Sequence, residues 1–167
     1  YTMSFWKFWR KNEIKRPAML AIIRHAESER NKAKMGRTYF ADEYARKDVK
    51  GIPDHNIALT PLGAEQAKKT GVVLRERFGT FDYAYHSGYL RTEQTLENIL
   101  AAWPEEERKK IKIRSNPFIR ERDAGYTYEM TEEEAEKYFP WLQDYWNTFG
   151  GFFGRPVGGE SLAQVAE

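Results

Sequence analysis

The chain has 167 residues, 41% of them hydrophobic and 31% charged, with a formal net charge of +2, which is the balance of one globular domain. That balance excludes disordered chains and strongly basic nucleic-acid binders, and the lack of any cysteine excludes disulfides, thiolate metal sites and cysteine nucleophiles. No apolar run of bilayer-spanning or secretory-signal length is visible, so a cytoplasmic location is expected.

Residues 1–16 interleave aromatic and basic side chains. Phe5, Phe8 and Trp9 fall on one helical face with Lys7, Arg10 and Lys11 off it. The stretch predicts a short arm docked on its own domain or on a neighbouring subunit, in preference to a membrane-surface helix. Pro17 ends the arm, so a single domain is predicted over 17–167. The near-continuous apolar run MLAIIRHA, Met19 to Ala26, predicts a strand buried on both faces of a parallel sheet. Arg24 and His25 stand at its carboxyl end, where open α/β sheets bind their ligands. A short helical piece from Ser28 to Lys34 follows, then a long connection over 35–59 with turn signals at Gly51, Pro53, Asp54 and Asn56. Connections of that length in compact domains are functional or mobile.

A helix is predicted from Pro61, with Thr60 as N-cap and Gly79 as C-terminal cap, and with Ala67, Gly71, Leu74 and Phe78 on its apolar face. FDYAYHS, 81–87, predicts the next strand, and a helix from about Tyr89 to Trp103 keeps the 3.6 period through Leu96, Ile99, Leu100 and Trp103. IKIR, 111–114, predicts a third strand running into an irregular stretch that holds Glu121. Thr131, followed by three glutamates, opens a helix towards Trp146 with a break at Pro140. A glycine-rich loop over 150–159 then leads to a last helix that reaches Glu167 with no stop signal, so a further strand is expected beyond it. Strand and helix alternate throughout, which predicts an α/β fold: three αβα layers around a mainly parallel sheet.

Polar groups collect at the predicted strand ends: Arg24, His25, Ser28 and Asn31, then Ser87 and Arg91, then Glu121. Two arginines and a histidine in one cleft make a dianion pocket, because guanidinium forks match phosphate oxygens. A carboxylate beside bound phosphate is useful as a proton carrier.

IIRHAESERN resembles the signature of the histidine phosphatase superfamily, the phosphoglycerate mutase-like proteins. ALTPLGAEQA, SGYLRTEQT, IRERDAGY and GGESLAQV resemble its later blocks, in order, so that the likeness covers 19–167. The spacing of PDHNIALTPLG, the ERD tripeptide and FFGRPVGGES look most like a phosphatase-type subgroup known from plants, fungi and bacteria. The resemblance implies a phosphoglycerate mutase-like fold. It also implies His25 as the nucleophile that becomes phosphorylated, Arg24 and Arg91 as clamps on the transferring group, Asn31 as a further hydrogen-bond donor to it and Glu121 as general acid and base. No metal or cofactor is required, since arginine and histidine supply the positive charge.

The family has a second histidine on a strand ending Ser-His-Gly, and no such block precedes Glu167. Of the other two histidines, His86 is pointed away from the side of Ser87 by strand alternation, whereas His55, in the long loop, can reach over the cleft to substrate. Ser28 is read with equal weight as a phosphate contact and as a helix cap. The aromatic stretch 138–153 is read as core or lid packing. The function expected is a phosphomonoesterase using a phosphohistidine intermediate on a small phosphorylated substrate, with no nucleic acid partner and a homo-oligomer left open. The alternatives are a phosphoglycerate mutase and a non-catalytic phosphate-binding or scaffold protein.

Overall fold

A computed structural model of the chain describes residues 16–166; the arm read at 1–16 lies outside the described residues except for Arg16. Ten elements follow one another: helices α1 (Glu29–Lys34), α2 (Glu43–Arg46) and α3 (Pro61–Phe78), strand β1 (Tyr83–His86), helices α4 (Leu90–Leu100) and α5 (Glu105–Arg108), strand β2 (Lys112–Ser115), and helices α6 (Glu132–Tyr138), α7 (Leu142–Phe153) and α8 (Leu162–Ala166). β1 and β2 pair in parallel, Tyr83 opposite Lys112 and His86 opposite Ser115, as the strand-helix-strand order requires. No helix among the described residues is long and apolar enough to cross a membrane.

Local chemistry starts and stops α3 where the sequence says it should. The Thr60 hydroxyl accepts from the Gly63 amide at 2.9 Å, Pro61 takes the first helical position, and Gly79 closes the last turn at φ 72° with its amide donating to the Arg75 carbonyl. Such a side-chain cap contributes about 1 kcal/mol. Two glycines then let the helix lie against its neighbours: a Cβ on Gly71 would stand 2.2 Å from the Ile99 carbonyl oxygen of α4, and one on Gly63 2.1 Å from the Glu27 carbonyl oxygen. Both distances are far inside van der Waals contact. α3 is thereby held close to the backbone just after His25.

The main core joins Ala67 of α3 with Ile99, Leu100, Trp103 and Ile111, and the Trp103 indole donates to the Gly79 carbonyl at 2.9 Å. A smaller core of Phe40, Val49 and Ile57 lies within the long connection, packed against Ala33. Phe40 also forms an isolated parallel bridge with Thr131, tying that connection to the start of α6.

Two expectations need correction, and one element was not foreseen. Residues 19–27 run with no strand ladder among the described residues, and Leu20 and Ile22 are 73% and 88% exposed. The apolar run has the composition of a central strand, but a strand also needs hydrogen-bonding neighbours and covering layers, and only the bridge from Ser28 to Leu59 lies beside it. The helix expected to end near Trp146 runs on to Gly150, where the backbone is non-helical (φ 69°) as the predicted glycine loop begins, and a short helical piece then completes α7 to Phe153. The break between α6 and α7 falls around Pro140 as expected, but α5 was not foreseen.

Candidate active site

The segment carrying His25 is anchored on both sides. The Ala26 amide donates to the Thr95 hydroxyl of α4 at 3.1 Å, and the Thr60 amide at the head of α3 donates to the Glu27 carbonyl at 3.0 Å. Ser28 then caps α1: its hydroxyl accepts from the Asn31 amide, and its own amide donates to Asn31 Oδ1 at 3.1 Å. This reciprocal capping box fixes the turn that follows the histidine.

A cavity of about 230 Å³ opens there. Arg24, His25, Ser28 and Asn31 line it from the first segment, His55 from the long connection, Arg91 from α4 and Glu121 from the stretch after β2. Seven of the residues singled out in the sequence therefore line one cavity, whereas Ser87, read with them, does not. His86 and Ser87 are not among its lining residues. Ser87 instead shapes the β1–α4 turn, its hydroxyl 3.0 Å from that of Thr92 and accepting from the Tyr89 amide, while His86 Nδ1 accepts from the Gly88 amide.

His25 is half-buried, and its Nδ1 lies 2.7 Å from the carbonyl oxygen of Ala26. A carbonyl can only accept, so in the neutral ring Nδ1 carries the hydrogen and Nε2 keeps the lone pair. Burial pushes the imidazole below its ordinary 6.5, the backbone hydrogen bond opposes this, and the Arg91 and Arg24 charges depress it further. The ring is thus neutral at physiological pH. A folded-state value below the unfolded one means that the native protein resists protonation, so the neutral form persists on acidification through pH 6.5. An NMR titration of the substrate-free protein is expected to give His25 a midpoint under 6.5 that rises on Arg24→Ala; a midpoint at or above 6.5 contradicts this electrostatic account.

Glu121 is exposed on the rim of the cavity, and the ion-pair cluster that could have claimed it forms without it. Arg120 pairs with Glu160 through two contacts of 2.8 Å, the Arg122 guanidinium donates to the Glu160 carbonyl, and the Asp123 amide donates to the Glu160 carboxylate at 2.7 Å. The Arg120 guanidinium, helped by the Asp123 amide, holds the Glu160 carboxyl down at about 2. Glu160, at the entry to α8, therefore holds the Arg120 side chain before Glu121 and the Asp123 backbone after it, and leaves the Glu121 carboxylate without an ion pair among the described residues.

Residues that the sequence reading did not single out complete the walls. Arg30, 2% exposed, lies in α1 with its guanidinium 5.0 Å from the centre of the Tyr128 ring. Asp54, read only as a turn residue, receives the Arg91 guanidinium end-on, Nη1 to Oδ1 at 3.3 Å and Nη2 to Oδ2 at 3.1 Å. Tyr89 stands with Arg91 4.7 Å over its ring and with the His55 ring edge-on at 6.4 Å. No local pattern marks Arg30 or Asp54, because their partners lie tens of positions away in the chain. Among the described residues, no three His, Asp or Glu side chains cluster as a metal site would require.

The sequence model for branch 1 of the histidine phosphatase superfamily matches residues 20–167. The chain is 28% identical over 152 residues to a 2,3-bisphosphoglycerate-dependent phosphoglycerate mutase of Parvibaculum lavamentivorans, covering 90% of this chain and 63% of that protein. It spans somewhat under two thirds of the length of such relatives. Its fold is similar to that of an Escherichia coli protein assigned as an alpha-ribazole-5′-P phosphatase, with a TM-score of 0.61 at 17% identity over 86% of this chain and 59% of the other. A mycobacterial glucosyl-3-phosphoglycerate phosphatase solved with inorganic phosphate gives a TM-score of 0.56 at 20% identity, over 85% and 54% of the two chains.

Proposed function

The chain belongs to branch 1 of the histidine phosphatase superfamily, and from that membership we propose that it is a phosphomonoesterase working through a phosphohistidine on His25. The observation that carries this reading is the state of His25: a neutral, half-buried imidazole with its Nδ1 hydrogen committed to the Ala26 carbonyl, in a cavity shared with Arg24 and Arg91. Nε2 is then the nucleophile. It attacks the phosphorus in line as the bond to the leaving oxygen breaks, and Glu121 gives that oxygen a proton. In the second step Glu121 takes a proton from water, which attacks the phosphohistidine and frees inorganic phosphate with the imidazole restored. Arg24 and Arg91 neutralise charge on the equatorial oxygens, and covalent capture splits one difficult displacement into two easier ones.

Asn31 donates to the phosphoryl group through Nδ2, since its Oδ1 is taken by the Ser28 amide and hydroxyl. That double commitment makes Ser28 a cap first and a phosphate contact second. His55, beside Tyr89 at the mouth, meets the leaving group. The substrate is a small phosphomonoester, consistent with a cavity of about 230 Å³.

A mutase reading is favoured by the curated relative. The two differ in the acceptor of the second step, water or a substrate hydroxyl, and parallel assays on an aryl phosphate and on phosphoglycerate separate them. Aryl phosphate hydrolysis that exceeds phosphoglycerate isomerisation supports the phosphatase. Rapid isomerisation with negligible hydrolysis would sink it, and phosphate binding without either turnover would leave a scaffold.

A further inference from the structure

The phosphate clamp Arg91 has a geometry of its own that the proposed reaction leaves unexplained. Only 5% exposed, it spends three of its five N–H groups on one residue: Nη1 donates to the Asp54 carbonyl at 2.7 Å and to Oδ1 at 3.3 Å, and Nη2 to Oδ2 at 3.1 Å. The end of the guanidinium is thus occupied and its flank, the Nε hydrogen with the second hydrogen of Nη2, is left. Those two parallel donors are the fork that accepts two oxygens of one phosphate.

Asp54 is itself held from behind. Arg30 Nη1 lies 3.1 Å from Oδ1 and 2.5 Å from a carboxylate oxygen of Glu129, at angles that make these charge contacts in place of straight hydrogen bonds. Arg30 Nε and Nη2 meet no acceptor among the described residues, although they are buried. A buried cation with unmet donors is costly to keep unless it is fixed by something worth more. Beneath it lies the Tyr128 ring, and the Tyr128 carbonyl is pinned by Lys34 Nζ at 2.7 Å. The carboxylate of Asp54 is therefore clasped between two guanidiniums, one anchored in α1 and one reaching into the cavity.

Resting on the phosphohydrolase reading above, we propose that Asp54 is the positioning residue for Arg91, with Arg30 as its buried anchor. Asp54 belongs to the short 3-10 turn Asp54–Asn56 that closes the long connection. The turn's place on α4 consequently sets the plane of the phosphate clamp, and with it the alignment of the phosphoryl group against His25. A misplacement of about 1 Å at such a group costs on the order of 100-fold.

The test is a double-mutant cycle on the affinity for inorganic phosphate, followed by calorimetry or phosphorus NMR, in the wild type, Asp54→Asn, Arg91→Met and the double variant. Asparagine keeps the shape of Asp54 and tests the charge clasp without emptying the site, and thermal melting of each variant verifies folding. The expected result is about a tenfold weaker dissociation constant for D54N in the wild-type background and no further loss when it is added to R91M, because Asp54 acts through Arg91. Arg30→Met is expected to reproduce a smaller loss that likewise vanishes beside R91M. A D54N effect of equal size in both backgrounds, or no effect in either, overturns the positioning role while leaving the phosphatase reading intact. A wild-type protein that binds no phosphate overturns both.

Discussion

Replacing His25 with asparagine is expected to abolish phosphoryl labelling of the chain and to lower turnover of an aryl phosphate by on the order of 10⁴-fold or more, the scale seen when a covalent nucleophile is removed. At about 1.4 kcal/mol per decade, that is about 5–6 kcal/mol of transition-state stabilisation. The expected loss follows from the state of Nε2. With Nδ1 hydrogen-bonded to Ala26 and the ring held neutral by burial and by Arg91 and Arg24, Nε2 is a lone pair that needs no base to free it. Asparagine keeps a polar side chain of similar reach without a ring nitrogen to attack. Label must be trapped from a phosphorylated substrate under alkaline conditions, since phosphohistidine does not survive acid. Alkali-stable, acid-labile label that persists in His25→Asn would place the nucleophile elsewhere.

Arg91→Met is expected to cost about 10³-fold in kcat/KM, within the range for loss of a positioned cation at a transferring phosphoryl group. The volume is nearly kept, so the loss reads charge and the fork and not a cavity. Lysine is expected to restore little. Its single ammonium cannot hold the Asp54 carboxylate and carbonyl end-on while presenting two parallel donors to phosphate. Recovery of more than about a third of wild-type kcat/KM by Arg91→Lys would mean that charge alone matters and that the planar geometry at Asp54 is incidental. Steady-state kinetics on an aryl phosphate with melting curves alongside measures both variants.

Much of this site is written in short stretches. Thr60-Pro61 and Gly79 bound α3 because caps and a fixed φ act on neighbouring residues. Ser28 and Asn31 announce α1 for the same reason. Arg24, His25, Arg91 and Glu121 are legible because short motifs carry them: RHAESERN, SGYLRTEQT and IRERDAGY. The Arg30–Asp54–Arg91 clasp is not legible, because it joins residues 30, 54 and 91 across two helices and a long connection, and no periodicity links them. The freedom of Glu121 is equally hidden: it depends on Glu160, nearly forty residues on, taking Arg120 instead.

The apolar run Met19–Ala26 and the aromatic helix α7 mark the limits from the other side. Composition specified a strand at the first, yet burial is conferred by neighbours, and the described residues supply no ladder there. Glycine content specified a loop at Gly150–Gly151, and the helical backbone does break at Gly150, yet a short helical piece resumes beyond it to Phe153. By itself, then, the sequence determined the capped helices, the parallel strand-helix alternation and the roster of polar residues that line the cavity, since these depend on local chemistry and spacing. Only the tertiary structure decided which arginine holds which carboxylate, which edge of Arg91 stays free and which tautomer His25 takes, because those follow from distances of a few ångströms between segments far apart in the chain.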